Sequence, residues 1–201
     1  IPETMCSYHR LFLGAASLGV MPKPRYIIHT NVACDANQIT FRELADHFGV
    51  PHFKIDVPYR QDEESVKYVA DQLRQMACFI EDQEHRTLTD DMLRTVMTRT
   101  LHTAQNSDKL LTLSAHRYLH GDLTAELQTT FVSHMLLGTA EAEKYTAMAV
   151  KEIQRLPETD GINILWLHTI PYRSPHVSAR LSNNDAVHIK ACDMGYESLI
   201  T

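Results

Sequence analysis

No stretch of the 201 residues comes near the roughly 18 consecutive apolar positions that a membrane-crossing helix needs. There is no Gly-x-Gly-x-x-Gly, no phosphate-binding loop and no Gly-x-Ser-x-Gly. These absences remove the usual sequence signatures of nucleotide binding and of nucleophile-elbow hydrolases. Positive charge is in deficit: 19 Lys and Arg face 25 Asp and Glu, a formal net charge of −6. That argues against bulk binding to nucleic acid or an anionic membrane surface, while leaving room for a local basic pocket. No repeat, low-complexity tract or polar linker appears, and no compact Cys-x-x-Cys metal motif. Only four cysteines occur: Cys6, Cys34, Cys78 and Cys192. Their wide spacing, in a chain too long to be a small secreted scaffold, reads as reduced thiols of a cytosolic protein. The apolar stretch 11–20 lacks a small-x-small cleavage context and reads as a helix, not a leader.

What remains is an ordinary globular composition, 44% hydrophobic and 22% charged. The length fits one domain, or one and a half. Such a chain buries enough surface to fold without disulfide or metal. It opens at Ile1-Pro2 without Met and stops after a strand-like stretch, which reads as a piece of a longer polypeptide.

The hydrophobic pattern predicts a helix over 7–18 with Ser7 able to cap it, ended by Pro22 and Pro24. A β-branched strand follows over 26–30, then a polar loop through Cys34. Phe41, Leu44, Ala45 and Phe48 predict a helix over 39–48, ended by Gly49. A second strand covers 51–55. Strand, helix and strand in so few residues form the βαβ signature of a parallel sheet. Its crevice lies at the carboxyl ends of the strands, where the Cys34 and Asp56 loops fall. Long helical patterns then dominate: 64–84 with stripe Val66, Val69, Leu73, Met76 and Ile80; a helix through 105 capped by Thr89 or Asp90; 108–119; 123–137; and 139–156, capped by Thr139. Strands at 162–168 and 186–191 flank a short helix at 175–181. The fold class is α/β, with Rossmann-like parallel-sheet lobes around a large helical segment. The expected divisions are an N-terminal α/β lobe over 1–60, a mainly helical segment over 61–157 and the start of a second α/β lobe over 158–201.

Cys34 is the most suggestive residue. It lies just past a strand and near a helix start, where backbone N–H groups and the helix dipole favour a thiolate. Thiolates bind soft metals; the alternative role is that of a small buried apolar residue. Cys6 precedes a helix and says little by itself. Cys192 follows a strand and could face the same crevice if that strand joins the same sheet. Cys78 lies beside the core stripe of its helix and reads as packing. His116 and His120 stand four apart on one expected helix, a geometry competent for zinc, but Arg117 occupies the place of the glutamate in His-Glu-x-x-His. Asp62, Glu63 and Glu64 stand at a helix start, where the dipole accounts for them without catalysis.

Five pieces in order carry a resemblance: Ile1-Pro-Glu-Thr-Met-Cys6-Ser-Tyr, Pro22-Lys-Pro24, Thr30-Asn-Val-Ala-Cys34-Asp-Ala-Asn, Phe48-Gly-Val-Pro51 and Ile55-Asp-Val-Pro58. Tyr68-Val-Ala-Asp-Gln-Leu73 and Ile164-Leu-Trp-Leu-His-Thr-Ile-Pro171 extend it over most of the chain. The sequence resembles the 2-hydroxyacyl-CoA dehydratase family, which includes the benzoyl-CoA reductase subunits. The resemblance implies a two-lobed subunit holding a [4Fe-4S] cluster through three cysteines, and leaves flavin binding open. Cys6 and Cys34 correspond to the first two ligand positions. The third comes from a more C-terminal segment, past Thr201; Cys192 is the late cysteine present here and the only substitute for it. The segment His85-Arg86-Thr87 departs from the Thr-Gly that the family often carries there.

The resemblance further implies a cytoplasmic lyase acting on an acyl-CoA. One electron enters the thioester carbonyl, and the ketyl radical so formed expels the 2-hydroxyl of an (R)-2-hydroxyacyl-CoA. In the benzoyl branch the same transfer reduces an aromatic ring. The implied partners are a homologous second subunit and a separate ATP-dependent iron–sulfur activator, which fits the missing phosphate-binding loop. Two other readings stay open: a non-catalytic partner subunit of the family, and a zinc hydrolase built on histidines.

Overall fold

The computed structural model describes residues 4–32, 34–119, 135–167, 174–181 and 186–193. The chain divides after Leu88 into two compact units.

The first unit runs α1 (Ser7–Ser17), β1 (Ile27–Thr30), α2 (Ala36–Phe48), β2 (His52–Ile55) and α3 (Glu63–Glu84). β1 and β2 pair in parallel, with Ile27 opposite His52 and Thr30 opposite Ile55. The expected βαβ unit is therefore present, and the Cys34 and Asp56 loops both leave the carboxyl edge of the sheet. Strand alternation sends His29, His52 and Lys54 to one face and Phe53 and Ile55 to the other. α2 covers the first face: the Phe41 ring lies 5.9 Å from His29. α3 covers the second, with Phe79 5.5 Å from Phe53 and 5.7 Å from Tyr26. α1 packs on the back of α2 through Phe12 and Phe41. Leu44, Ala45, Thr40, Ala16 and Ile55 are buried between these layers. Gly49 ends α2 in the left-handed conformation at φ 60°, the conformation a glycine adopts at least cost.

The second unit runs α4 (Asp90–Ser114), α5 (Ala140–Arg155), β3 (Ile162–Trp166), α6 (Pro175–Leu181) and β4 (Val187–Cys192). α4 and α5 pack along their lengths. Gly138 meets Val96, His102 meets Glu143 and Asn106 meets Thr146. These contacts advance together, so the two helices run parallel. Ala142, Thr146, Val150 and Ile153 form the buried stripe of α5. β3 and β4 pair in parallel, with a register shift between Ile164 and Leu165.

Several expectations are corrected by tertiary contacts. α4 is one helix through 105–108, because Ser107 Oγ bonds the Thr103 carbonyl at 2.9 Å and Asn106 reaches Thr146. These polar side chains find partners without breaking the helix. α4 stops at Ser114, short of the expected 119. Arg117 leaves it to bridge Glu158, and the Thr159 N–H bonds the His116 carbonyl. Ser7 lies inside α1, whose N-cap is Cys6. Val66 and Leu73, expected in a packed stripe, are exposed on α3, which has no buried residue. β3 ends at Trp166 and β4 reaches Cys192. The expected helix over 123–137 lies mostly outside the described residues, as does His168.

Candidate functional site

Both leading cysteines belong to the first unit, and both thiols are exposed. Cys6 is the N-cap of α1 but makes no side-chain capping bond. Cys34 lies two residues before α2, whose N-cap Asp35 makes none either. No acidic residue stands in the first turn of α1 or α2. The contrast with the longer helices is sharp. Asp62 caps α3 by accepting from Ser65 N at 2.8 Å, and hydrogen bonds from the Ser65 side chain and then from its N–H hold the Asp62 carboxyl below the usual carboxylate range. Of the two cap candidates Thr89 and Asp90, Thr89 caps α4, and Thr139 caps α5 as expected. Each of these three helices also carries two acids in its first turn. Helix N-termini expose unpaired N–H donors and a positive dipole end. Neither α1 nor α2 has a side-chain capping bond; at α2 the Asp35 carboxylate stands at the N-cap and the Asn37 and Gln38 N–H groups bond the Cys34 and Asp35 carbonyls, so the start of α1 is the more open to an anionic group.

Cys34 is tied to α1. Its Sγ lies 3.6 Å from Nε2 of His9, which is buried three residues after Cys6. The two cysteine-bearing segments therefore meet through an imidazole that the sequence reading did not single out. Asn31 fixes the loop base. Its Nδ2 donates to Asp56 Oδ1 and to the Val57 carbonyl, each at 3.1 Å, and its Oδ1 accepts from Val57 N at 2.7 Å. Gln72 of α3 then bonds the backbone N–H and C=O of Asp56. The carboxyl edge is thus cross-braced from β1 to α3.

Cys192 ends β4 in the second unit, buried with Ile189 beside Ile164, Trp166 and Leu181. Its thiol donates to Asp193 Oδ1 at 3.7 Å. Among the described residues β4 pairs with β3, not with the sheet that precedes Cys34. Cys78 is exposed on α3, off the face that packs on the sheet, so the packing role expected for it is corrected. His116 is exposed beyond the end of α4, and His120 lies outside the described residues. Their expected placement on one helix is not found.

An open pocket of about 620 Å³ lies on the α2 side of the first sheet, lined among others by His29, His52, Lys54, Arg42, Glu43 and Asp46. Sequence reasoning missed it, because two short strands give no periodic signal for which face a helix covers.

Metal fit can be judged from the donor set. Two exposed thiols at open helix starts suit the thiolate ligands of an iron–sulfur centre. No group of three His, Cys, Asp or Glu side chains able to hold a metal ion occurs among the described residues.

No curated protein matches the chain. The family model for the D-component of 2-hydroxyglutaryl-CoA dehydratase matches residues 1–200. That match covers both units and every cysteine discussed above, and on it the chain belongs to the 2-hydroxyglutaryl-CoA dehydratase D-component family.

Proposed function

We propose that this chain is a subunit of a [4Fe-4S] 2-hydroxyacyl-CoA dehydratase, with Cys6 and Cys34 as two of the cluster's thiolate ligands. The reaction is elimination of water from an (R)-2-hydroxyacyl-CoA. The observation that carries the reading is the pair of exposed thiols beside two helix starts that have no side-chain capping bond and no acid within the first turn, Asp35 standing at the N-cap of α2. An anionic centre gains about 0.3–1 kcal/mol from each helix end it meets. Acids in the first turns of α1 and α2 would oppose it.

Bound there, the cluster supplies one-electron transfer to the thioester carbonyl. The chain's own residues hold and shape the site. Asn31 locks the Cys34 loop to the end of β2, so the sulfur is presented from a braced edge. His9 fills the space behind that sulfur. A third thiolate completes the ligand set, an ATP-dependent iron–sulfur activator delivers the electron, and a homologous second subunit pairs with this one.

The test is anaerobic purification of the complete protein, followed by iron and acid-labile sulfide analysis. A brown, iron-containing sample is expected, with iron falling sharply in Cys34→Ser and unchanged in Cys78→Ser. A colourless, iron-free protein after reconstitution would sink the reading.

A further inference from the structure

We propose that His9 is a positioning residue for Cys34: its Nε2–H donates to the Cys34 sulfur across the 3.6 Å contact and so ties the two cysteine-bearing segments together. The consequence for bound iron rests on the cluster reading above; the contact itself does not.

Burial sets His9 apart. His9 is 2% exposed, although it stands on a short surface helix with Leu11 and Leu18 largely exposed. Burying an imidazole in place of an aliphatic side chain is costly for each polar atom left unpaired. The Nδ1 atom has no hydrogen-bond partner among the described residues. Nε2 has the Cys34 sulfur as its partner. A side chain so placed, with one nitrogen committed to a sulfur, is poorly explained as packing.

The tautomer follows from the same inventory. A neutral imidazole carries one N–H donor and one bare acceptor. With the proton on Nδ1, a buried N–H would be orphaned, the rarest kind of unsatisfied group in folded proteins. With the proton on Nε2, the donor meets sulfur and only an acceptor lone pair is left over. Sulfur accepts weakly as a thiol and strongly as a thiolate or metal-bound thiolate. The arrangement therefore improves when Cys34 becomes a ligand. Tyr8 meets the His9 ring edge-on at 5.4 Å, which holds the ring plane.

An N–H donor to a ligating sulfur draws charge from it and raises the reduction potential of the bound centre. His9→Phe keeps a ring and loses the donor. His9→Gln keeps an amide N–H at similar reach.

Two measurements test this on the full chain. In the metal-free protein, two-bond proton–nitrogen NMR correlations on labelled histidine read the tautomer. The Nε2–H form is expected for His9, with its ring signals moved by Cys34→Ala while those of His52 stay. An Nδ1–H form, or ring signals indifferent to Cys34→Ala, overturns the proposal. In the anaerobically reconstituted protein, redox titration followed by electron paramagnetic resonance reads the midpoint. His9→Phe is expected to lower it with iron content unchanged, and His9→Gln to restore it toward the parent value. An unmoved midpoint in His9→Phe overturns the tuning role. If the parent protein takes up no iron, the cluster reading fails, and the NMR result still decides the contact.

Discussion

His29 shows what a single buried side chain does to the first unit. It is 6% exposed between Phe41 and His52, and neither ring nitrogen has a partner among the described residues. Burial pushes its pKa below the ordinary 6.5, and His52 and Lys54 push the same way. The unfolded chain therefore takes up a proton below pH 6.5 that the folded chain refuses. Stability contributed by neutral His29 is present above that pH and is lost as pH falls through it. Arg42, Glu43 and Asp46 of α2 line the same pocket. His29→Phe is expected to flatten the acid side of the stability curve, read as a smaller drop in urea midpoint between pH 7.5 and pH 5. An unchanged drop would assign the acid sensitivity to other groups. The thiols give a second prediction at this scale. In the metal-free native protein Cys6, Cys34 and Cys78 should react with a thiol reagent, and Cys192 only after unfolding. Protection of Cys34 would contradict its open position.

The elements divide by how their ends are satisfied. Loss of a side-chain cap costs about 1 kcal/mol, so Thr139→Ala should lower stability by that amount, measured by denaturant titration. At the uncapped starts of α1 and α2 no such loss is available. Asn31 braces two strand ends and the Cys34 loop with three bonds. Asn31→Ala leaves part-buried polar groups unpaired, so about 1–3 kcal/mol should be lost. Gly138 joins the segment before α5 to α4. Its φ of 82° and the 2.4 Å that an added Cβ would leave to Val96 Cγ1 both forbid a side chain. The cap Thr139 was legible in the sequence because it depends on residues three apart, whereas Ser7 proved to lie inside α1 and two expected helices merged into α4. The end of α4 was not legible, since the pairing of Arg117 with Glu158 involves partners 41 positions apart in the chain and outweighs a local helical pattern.

At the scale of the whole molecule, the family match spans both compact units, while the exposed cysteines at helix starts belong to the first. No helix among the described residues is long and apolar enough to cross a membrane. The contribution of the second unit to metal binding turns on Cys192, buried beside Trp166 and Leu181. Cys192→Ala should lower the denaturant midpoint by about 1 kcal/mol of stability, as a buried truncation does, and leave iron per chain unchanged. Loss of iron with stability retained would make Cys192 a ligand instead.

The sequence by itself determined the α/β class, the first βαβ unit, the capping residue Thr139 and the two cysteines at helix starts. Each is written in local periodicity or in residue chemistry at a fixed offset. Only the tertiary structure decided that His9 stands behind Cys34, that Asn31 braces the strand ends and that Cys192 is packed in an apolar core. Those contacts join residues 25 or more positions apart, or depend on which face of a strand a helix covers. Burial and pairing of that kind are properties of the packed chain, and no local pattern encodes them.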